Sequence, residues 1–237
     1  MAAEKDSKQP SRRKVIFIVA GGSLPEPRFL RERILGVQPE EVICADGGAR
    51  HILDLGMMPQ TVIGDLDSLP KERLDELTAG GCRILRHPCR KDETDTELAL
   101  RYALGREPDR IEIYAALGGR VDHALANISL LVAAAKSRIE TRIVDGGMEL
   151  FVVSEKAEIF GACGEIVSFF PVTTEVTGIN LVGFEYPLRN ATMEIGKPYG
   201  VSNRLLGEKG MVSVATGYLL VVKTGEKDVC REGGTKP

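Results

Sequence analysis

The stretch Thr61-Val62-Ile63-Gly64-Asp65-Leu66-Asp67-Ser68-Leu69-Pro70 decides how the chain is read. Its β-branched opening at 61–63 has the composition of a short buried strand, and Gly64 ends it. Pro70 then suits the first turn of a helix, where its missing N–H costs no hydrogen bond. Working outward, the pattern repeats. Val15–Ala20, Val42–Ala45, Arg83–Leu85, Ile111–Ala116 and Arg142–Val144 read as further strands. Helix-like stretches alternate with them at Arg28–Leu35, Ala49–Leu55, Pro70–Leu77, Thr96–Leu104 and Ala124–Ala135. The last places Leu125, Ile128 and Val132 on one face, which suits packing against a sheet. This alternation specifies an α/β domain with a mainly parallel sheet, Rossmann-like and three-layered.

In an open parallel sheet the carboxyl ends of neighbouring strands share one crevice, and ligands bind there. Four polar clusters fall at such strand ends: Ala45-Asp46-Gly47-Gly48-Ala49, Gly64-Asp65-Leu66-Asp67-Ser68, Lys91-Asp92-Glu93-Thr94-Asp95 and Gly118-Gly119-Arg120-Val121-Asp122-His123. Helix capping offers a plain explanation for parts of each. Asp67 or Ser68 would cap the helix that follows, Asp46 and Asp122 would cap theirs, and Thr94 with Glu97 has capping-box spacing. Capping leaves Asp65 unexplained, and carboxylates two residues apart in a strand-end loop can both approach one cation. Carboxylates gathered with Lys91, Arg120 and glycine-rich turns suit a Mg²⁺-bridged polyphosphate, which needs hard oxygen ligands for the ion and donors for the phosphates. The turn at Gly119 would bring backbone N–H groups and Arg120 to phosphate at a helix N-terminus. None of the clusters decides alone; their common position does, and it points to phosphoryl or pyrophosphoryl transfer. His51 and His123 read as structural. The chain lacks G-x-x-x-x-G-K-[ST], and no G-x-G-x-x-G follows its first strand, so P-loop and dinucleotide readings find no support.

From about Met148 the character changes. Leu150–Val153, Glu158–Phe160, Ile166–Phe170, Val176–Leu181, Met193–Ile195, Met211–Ala215 and Leu219–Val222 read as short strands separated by glycine turns, with no helical pattern among them. An all-β second domain, sandwich or barrel-like, is expected. The expected division is 14–147 and 148–225, with 1–13 and 226–237 as disordered tails.

The chain has 237 residues, 43% of them hydrophobic, enough for one large or two ordinary domains. A net charge of −3 gives no support for nucleic acid or an anionic membrane as partner. No apolar stretch approaches the roughly 20 residues of a membrane span. Five cysteines without CxxC spacing argue against a disulfide framework or structural zinc, and suit a cytoplasmic location.

Read in order, ADGGA at 45–49, GDLDS at 64–68, KDETD at 91–95 and GGRVDH at 118–123 resemble the thiamine pyrophosphokinase family. Tyr186-Pro187-Leu188 and Gly200-Val201-Ser202-Asn203 look like that family's C-terminal motifs, so the resemblance spans roughly 14–223. It implies an N-terminal α/β domain, a C-terminal β-sandwich, and a homodimer with active sites at the subunit interface. It assigns Asp65, Asp67 and Asp95 to Mg²⁺–ATP handling and adds Asp92, Thr94, Arg120 and Asp122 to the polyphosphate site. Ser202 and Asn203 would join the thiamine pocket, supplied by the partner subunit. The implied reaction is ATP plus thiamine giving thiamine diphosphate and AMP, with Asp65 or Asp67 accepting the hydroxyl proton. The chain departs from the pattern twice: Arg204 stands where an acidic residue is common, and there is no tryptophan. Tyr186, Tyr199 and Phe184 remain as aromatic partners for a cationic thiazolium. A rival reading takes Asp65 as the nucleophile of a haloacid-dehalogenase-type phosphatase, but that arrangement expects the motif on the first strand. A second rival is a nucleotide- or thiamine-sensing protein without turnover.

Overall fold

The computed structural model describes residues 13–227, so the tail expectations for 1–12 and 228–237 lie outside the described residues. Strands β1 (Val15–Val19), β2 (Glu41–Ala45), β3 (Thr61–Gly64), β4 (Arg83–Arg86), β5 (Arg110–Tyr114) and β6 (Glu140–Asp145) run parallel in the order β6-β5-β1-β2-β3-β4. Helices α1 (Pro27–Val37), α2 (Gly48–Asp54), α3 (Lys71–Ala79), α4 (Asp95–Leu104) and α5 (Val121–Lys136) connect them.

Both faces of the sheet are covered, which explains the unbroken apolar runs in its central strands. Val15, Phe17 and Val19 of β1 pack with Leu30 of α1 and Ile52 of α2. The alternate residues Ile16 and Ile18 pack with Ala99 and Ala103 of α4 and Leu131 of α5. A strand's period of two thus feeds two cores at once. The edge strand β4 breaks the rule, with Arg83 and Arg86 exposed; charge on an edge discourages further strand pairing.

The sheet does not stop at β6. The turn Asp145-Gly146-Gly147-Met148 folds β7 (Met148–Val153) back antiparallel onto it. Next come β14 (Leu219–Lys227), β9 (Glu165–Pro171) and the two-residue β12 (Asn203–Arg204), completing ten strands. A second, four-stranded antiparallel sheet stacks on this extension in the order β11-β10-β13-β8. Its strands are β8 (Lys156–Phe160), β10 (Glu175–Val182), β11 (Leu188–Glu194) and β13 (Lys209–Ser213). Phe151, Phe169 and Val221 from one sheet meet Val176, Leu181 and Val212 from the other, which makes the second half a β-sandwich. Leu150 and Leu220 point the opposite way and join the α/β core. The division expected between 147 and 148 therefore falls at a hairpin across which hydrogen bonding is continuous.

One sequence expectation is corrected, and one short strand was not foreseen. The buried face of α5 carries Asn127, Leu131 and Ala134, while Leu125 is 61% exposed. The buried Asn127 takes a place that a hydropathy pattern assigns to an apolar side chain, so the face is turned from the one expected. β12 escaped notice because two residues, one of them charged, make no periodic signal.

Close packing of β1 on α2 generates a test. A Cβ on Gly48 would lie 2.0 Å from the Val19 carbonyl oxygen, a backbone atom that cannot swing aside. Gly48→Ala is expected to cost at least about 2 kcal/mol of unfolding free energy, read as a lowered midpoint in urea denaturation.

Candidate active site at the strand ends

The chain steps outward from β1 to β4, then returns to β5 on the other side of β1. Such a reversal leaves a crevice at the carboxyl ends of the two strands. A cleft of about 500 Å³ opens there. Its walls are the Gly21–Ser23 turn after β1, Asp46 and Gly47 after β2, Asp65 after β3, Lys91 and Glu93 to Thr96 around the start of α4, and Gly118 to Arg120 after β5. The Gly22 N–H donates to the Ala115 carbonyl at 3.0 Å and ties the first of these turns to the last.

Gly64 lets the acidic groups meet. A Cβ at that position would stand 2.8 Å from Asp46 Cβ and 3.2 Å from Asp95 Cγ. With no side chain there, ligand oxygens of Asp46, Asp65 and Asp95 lie within 4.8 Å of one another. Asp46 is 8% exposed, and its Oδ1 is buried with no hydrogen-bond partner. An unpaired buried carboxylate oxygen is costly, and a hard cation is the partner that would relieve it. The donor set therefore fits a Mg²⁺ ion. A second group joins Asp65 and Asp67 to Cys89, also within 4.8 Å. Asp67 thus belongs with Asp65 but is not part of the Asp46 set.

Capping accounts for fewer of these residues than their positions suggest. Thr94 caps α4, its Oγ1 accepting from the Glu97 N–H at 3.1 Å. The N-cap of α3 is Pro70, that of α2 is Gly47 and that of α5 is Arg120, none with a side-chain capping bond. Asp46, Asp67, Ser68 and Asp122 are therefore not helix caps, contrary to the plain explanation.

Electrostatics favour the charged form of Asp65. The Cys89 thiol donates to Asp65 and, with the Asp67 N–H and the nearby Lys91, holds the Asp65 carboxyl below its ordinary value. The same bond pushes the Cys89 thiol up. Lys91 Nζ lies 2.6 Å from Asp95 Oδ1. Partial burial works against its charge, yet the bond to Asp95 raises its pKa overall. At the rim, Arg120 pairs through two nitrogens with Asp122 and holds that carboxyl down at about 2.

The remaining expected residues divide clearly. Thr94, Gly119 and Arg120 line the cleft, whereas Asp92 and Asp122 are exposed outside it. Of the basic residues Arg83, Arg86, His87, Arg90 and Lys91 before α4, only Lys91 reaches the cleft; Arg83 donates to the Tyr102 hydroxyl at 2.7 Å. His51 bonds the Gly22 carbonyl at 2.8 Å, in keeping with a structural role. Ser202 and Asn203 sit six strand intervals from β1, on the order of 29 Å at a spacing of about 4.8 Å. Asn203 is 4% exposed and its amide clamps the Tyr186 N–H at 3.0 Å and the Tyr186 carbonyl at 2.8 Å. Ser202 has φ +58°, and its N–H donates to Ser168 Oγ at 3.0 Å. Arg204 pairs with Glu185 at 2.7 Å. Phe184 is a core residue stacked edge-on against Phe169, while Tyr186 and Tyr199 are exposed.

Sequence reasoning missed Arg50, Cys89 and Asn127, all on the cleft wall. Asn127 donates to the Ala116 carbonyl at 2.9 Å and fixes the turn that carries Arg120. Its one visible signal was an amide in the middle of an otherwise apolar helix.

Two family models match in tandem: "Thiamin pyrophosphokinase, catalytic domain" over residues 38–143 and "Thiamin pyrophosphokinase, vitamin B1 binding domain" over 152–219. The chain is 33% identical to thiamine pyrophosphokinase of Bacillus subtilis over 215 residues, covering 89% of this chain and 99% of that one. The chain belongs to the thiamine pyrophosphokinase family. It is 28% identical over 185 residues to thiamine pyrophosphokinase 2 of Arabidopsis thaliana, covering 68% of this chain and 69% of that relative. The crystal structure of the Bacillus subtilis enzyme superposes with a TM-score of 0.78 at 31% identity, over 90% of this chain and 100% of that one. The structure from Geobacillus thermodenitrificans gives 0.75, also at 31% identity, over 91% and 99%. The chain is thus an enzyme of the thiamine diphosphokinase type, with the α/β domain and antiparallel sandwich of its relatives. No helix among the described residues is long and apolar enough to cross a membrane.

The unpaired oxygen of Asp46 yields a measurement. Divalent cation should raise the melting temperature of the wild type, and Asp46→Asn should lose most of that increment. Without added metal the variant should melt at or above the wild-type temperature, because one of three mutually repelling carboxylates is gone. Differential scanning calorimetry with and without MgCl₂ reads both effects.

Proposed function

We propose that this enzyme transfers the pyrophosphoryl group of Mg-ATP to the hydroxyl of thiamine, giving thiamine diphosphate and AMP. The observation that carries the reading is the meeting of Asp46, Asp65 and Asp95 around an unpaired buried oxygen, beside Lys91 and Arg120, at the sheet's reversal point. Asp46, Asp65 and Asp95 would hold Mg²⁺, which when bound supplies charge neutralisation to the polyphosphate. Lys91 and Arg120 offer cationic donors, and the Gly118–Gly119 turn lets backbone approach the phosphates. In the transfer a new bond forms between the thiamine oxygen and the β-phosphorus. The bond from the β-phosphorus to the oxygen bridging the α-phosphate breaks, and AMP leaves with that oxygen. The hydroxyl proton passes to a carboxylate. Asp65, with its lowered pKa, is a poor acceptor. Asp67, exposed beside it, is the acceptor we favour. Positioning and electrostatics do the rest without a covalent intermediate.

We further propose a homodimer in which the sandwich half, 148–225, faces the partner's α/β half, 14–147. Ser202 and Asn203 lie too far from their own acidic cleft to serve it. Val121 and Leu125, beside the cleft turn, are 73% and 61% exposed. Tyr199 and Val201, beside Ser202, are 55% and 47% exposed. A second copy would cover these apolar side chains, and Tyr186 or Tyr199 would offer a face to the thiazolium. Asn203 would then act by holding Tyr186 in place. The free thiols of Cys44, Cys82 and Cys89 fit the cytoplasm as the working compartment.

Incubation with Mg-ATP and thiamine should yield AMP and thiamine diphosphate in equal amounts by mass spectrometry. ADP as the nucleotide product would instead mean single phosphoryl transfer. Asp67→Asn and Asp95→Asn should each lower kcat by at least about 100-fold with the fold intact by circular dichroism. Mixed dimers of Asp95→Asn with Ser202→Trp should regain part of the wild-type rate; no recovery would place each site within one chain.

A further inference from the structure

Three cationic side chains of lysine or arginine line the cleft: Arg50, Lys91 and Arg120. Two are already engaged by carboxylates, Lys91 by Asp95 and Arg120 by Asp122. Arg50 differs. Its one hydrogen bond among the described residues runs from Nε to the Gly47 carbonyl at 3.3 Å, and it forms no ion pair with any described carboxylate.

Its neighbours make this informative. Asp46 lies four positions earlier, with Oδ1 buried and unpartnered, yet the guanidinium does not turn to it. The guanidinium lies over Gly47 instead: Nη2 would be 3.3 Å from a Cβ there, and Ser68 Cβ would be 3.4 Å from the same point. The turn after β2 thus keeps an anion and a cation apart although they are close enough in sequence to pair. The anion faces the carboxylate cluster, and the cation stands on the wall beside the Ser68 loop. Segregated charges of this kind are pre-arranged for a ligand that brings both signs, a metal ion and the anion it accompanies.

We propose that Arg50 is a phosphate-binding residue of this cleft, gripping the nucleotide's polyphosphate from the α2 side while Arg120 approaches from the α5 side. This rests on the nucleotide reading above. The Nε bond to Gly47 orients the fork and leaves the two Nη groups for phosphate oxygens, the planar geometry to which guanidinium is suited. Gly47 serves the arrangement by having no side chain to lift the fork away.

The test compares wild type, Arg50→Ala, Arg50→Gln and Arg50→Lys for binding of α,β-methylene-ATP with MgCl₂ by isothermal titration calorimetry. The analogue cannot be split at the transferred bond. Arg50→Ala and Arg50→Gln should each weaken it about tenfold, and Arg50→Lys should recover only part, having charge without the fork. Affinity for adenosine, KM for thiamine and the melting temperature should stay near wild type. Wild-type affinity for the analogue in Arg50→Ala or Arg50→Gln would overturn the proposal. Equal loss of adenosine binding would also overturn it, because the residue would then shape the pocket and not hold phosphate. Failure of the wild type to bind the analogue would sink the nucleotide reading, and this proposal with it.

Discussion

Three carboxylates held within 4.8 Å of one another are the constraint on which this architecture turns. At an effective dielectric of about 20, two unit charges at that separation repel by roughly 3 kcal/mol, so nothing local would bring Asp46, Asp65 and Asp95 together. Each comes from a different strand-end segment, and the parallel sheet brings the segments into register. Gly64 removes the one side chain that would keep Asp46 from Asp95. Lys91 offsets part of the repulsion from inside the cluster. The apolar cores on both faces of β1, β2 and β3 hold the strands against what remains.

The same sheet explains why the second half is joined so closely to the first. β7 pairs with β6 directly, and alternate residues of β7 and β14 serve the α/β core and the sandwich core. Flexing between the halves would break a ladder and expose apolar surface on both sides of it. A rigid sandwich, however, fixes Ser202 and Asn203 far across the sheet from the acidic cleft. In the proposed dimer, that rigidity would leave the site to be completed by the partner chain. The exposed Val121, Leu125, Tyr199 and Val201 fit that division of labour.

Much of the site was visible in the pattern of strand ends, because an apolar run followed by Asp, Gly and a helix start leaves few places for the carboxylates to go. Asp46, Asp65, Asp95 and Lys91 meet as a common crevice demands. Asp92 and Asp122 carried the same signal but are turned outward, since a helix start presents successive residues in different directions. Arg50 and Asn127 gave little sign. A lone cation in a short helix reads as a solvated face, and a lone amide in an apolar helix reads as an interruption. Asn203 looked like a binding residue, yet its amide is spent on the backbone of Tyr186, a bond between residues seventeen apart in sequence.

By itself the sequence determined the alternation of strands and helices, the change to short strands after Met148, and the family, because periodicity and motif order are local properties. Tertiary structure decided which carboxylates come within 4.8 Å of one another, that the two halves share one sheet, and that Asp46 rather than Asp67 meets Asp65 and Asp95 there. Those outcomes depend on strand order and on the space left by Gly64, and both arise only when distant segments pack together.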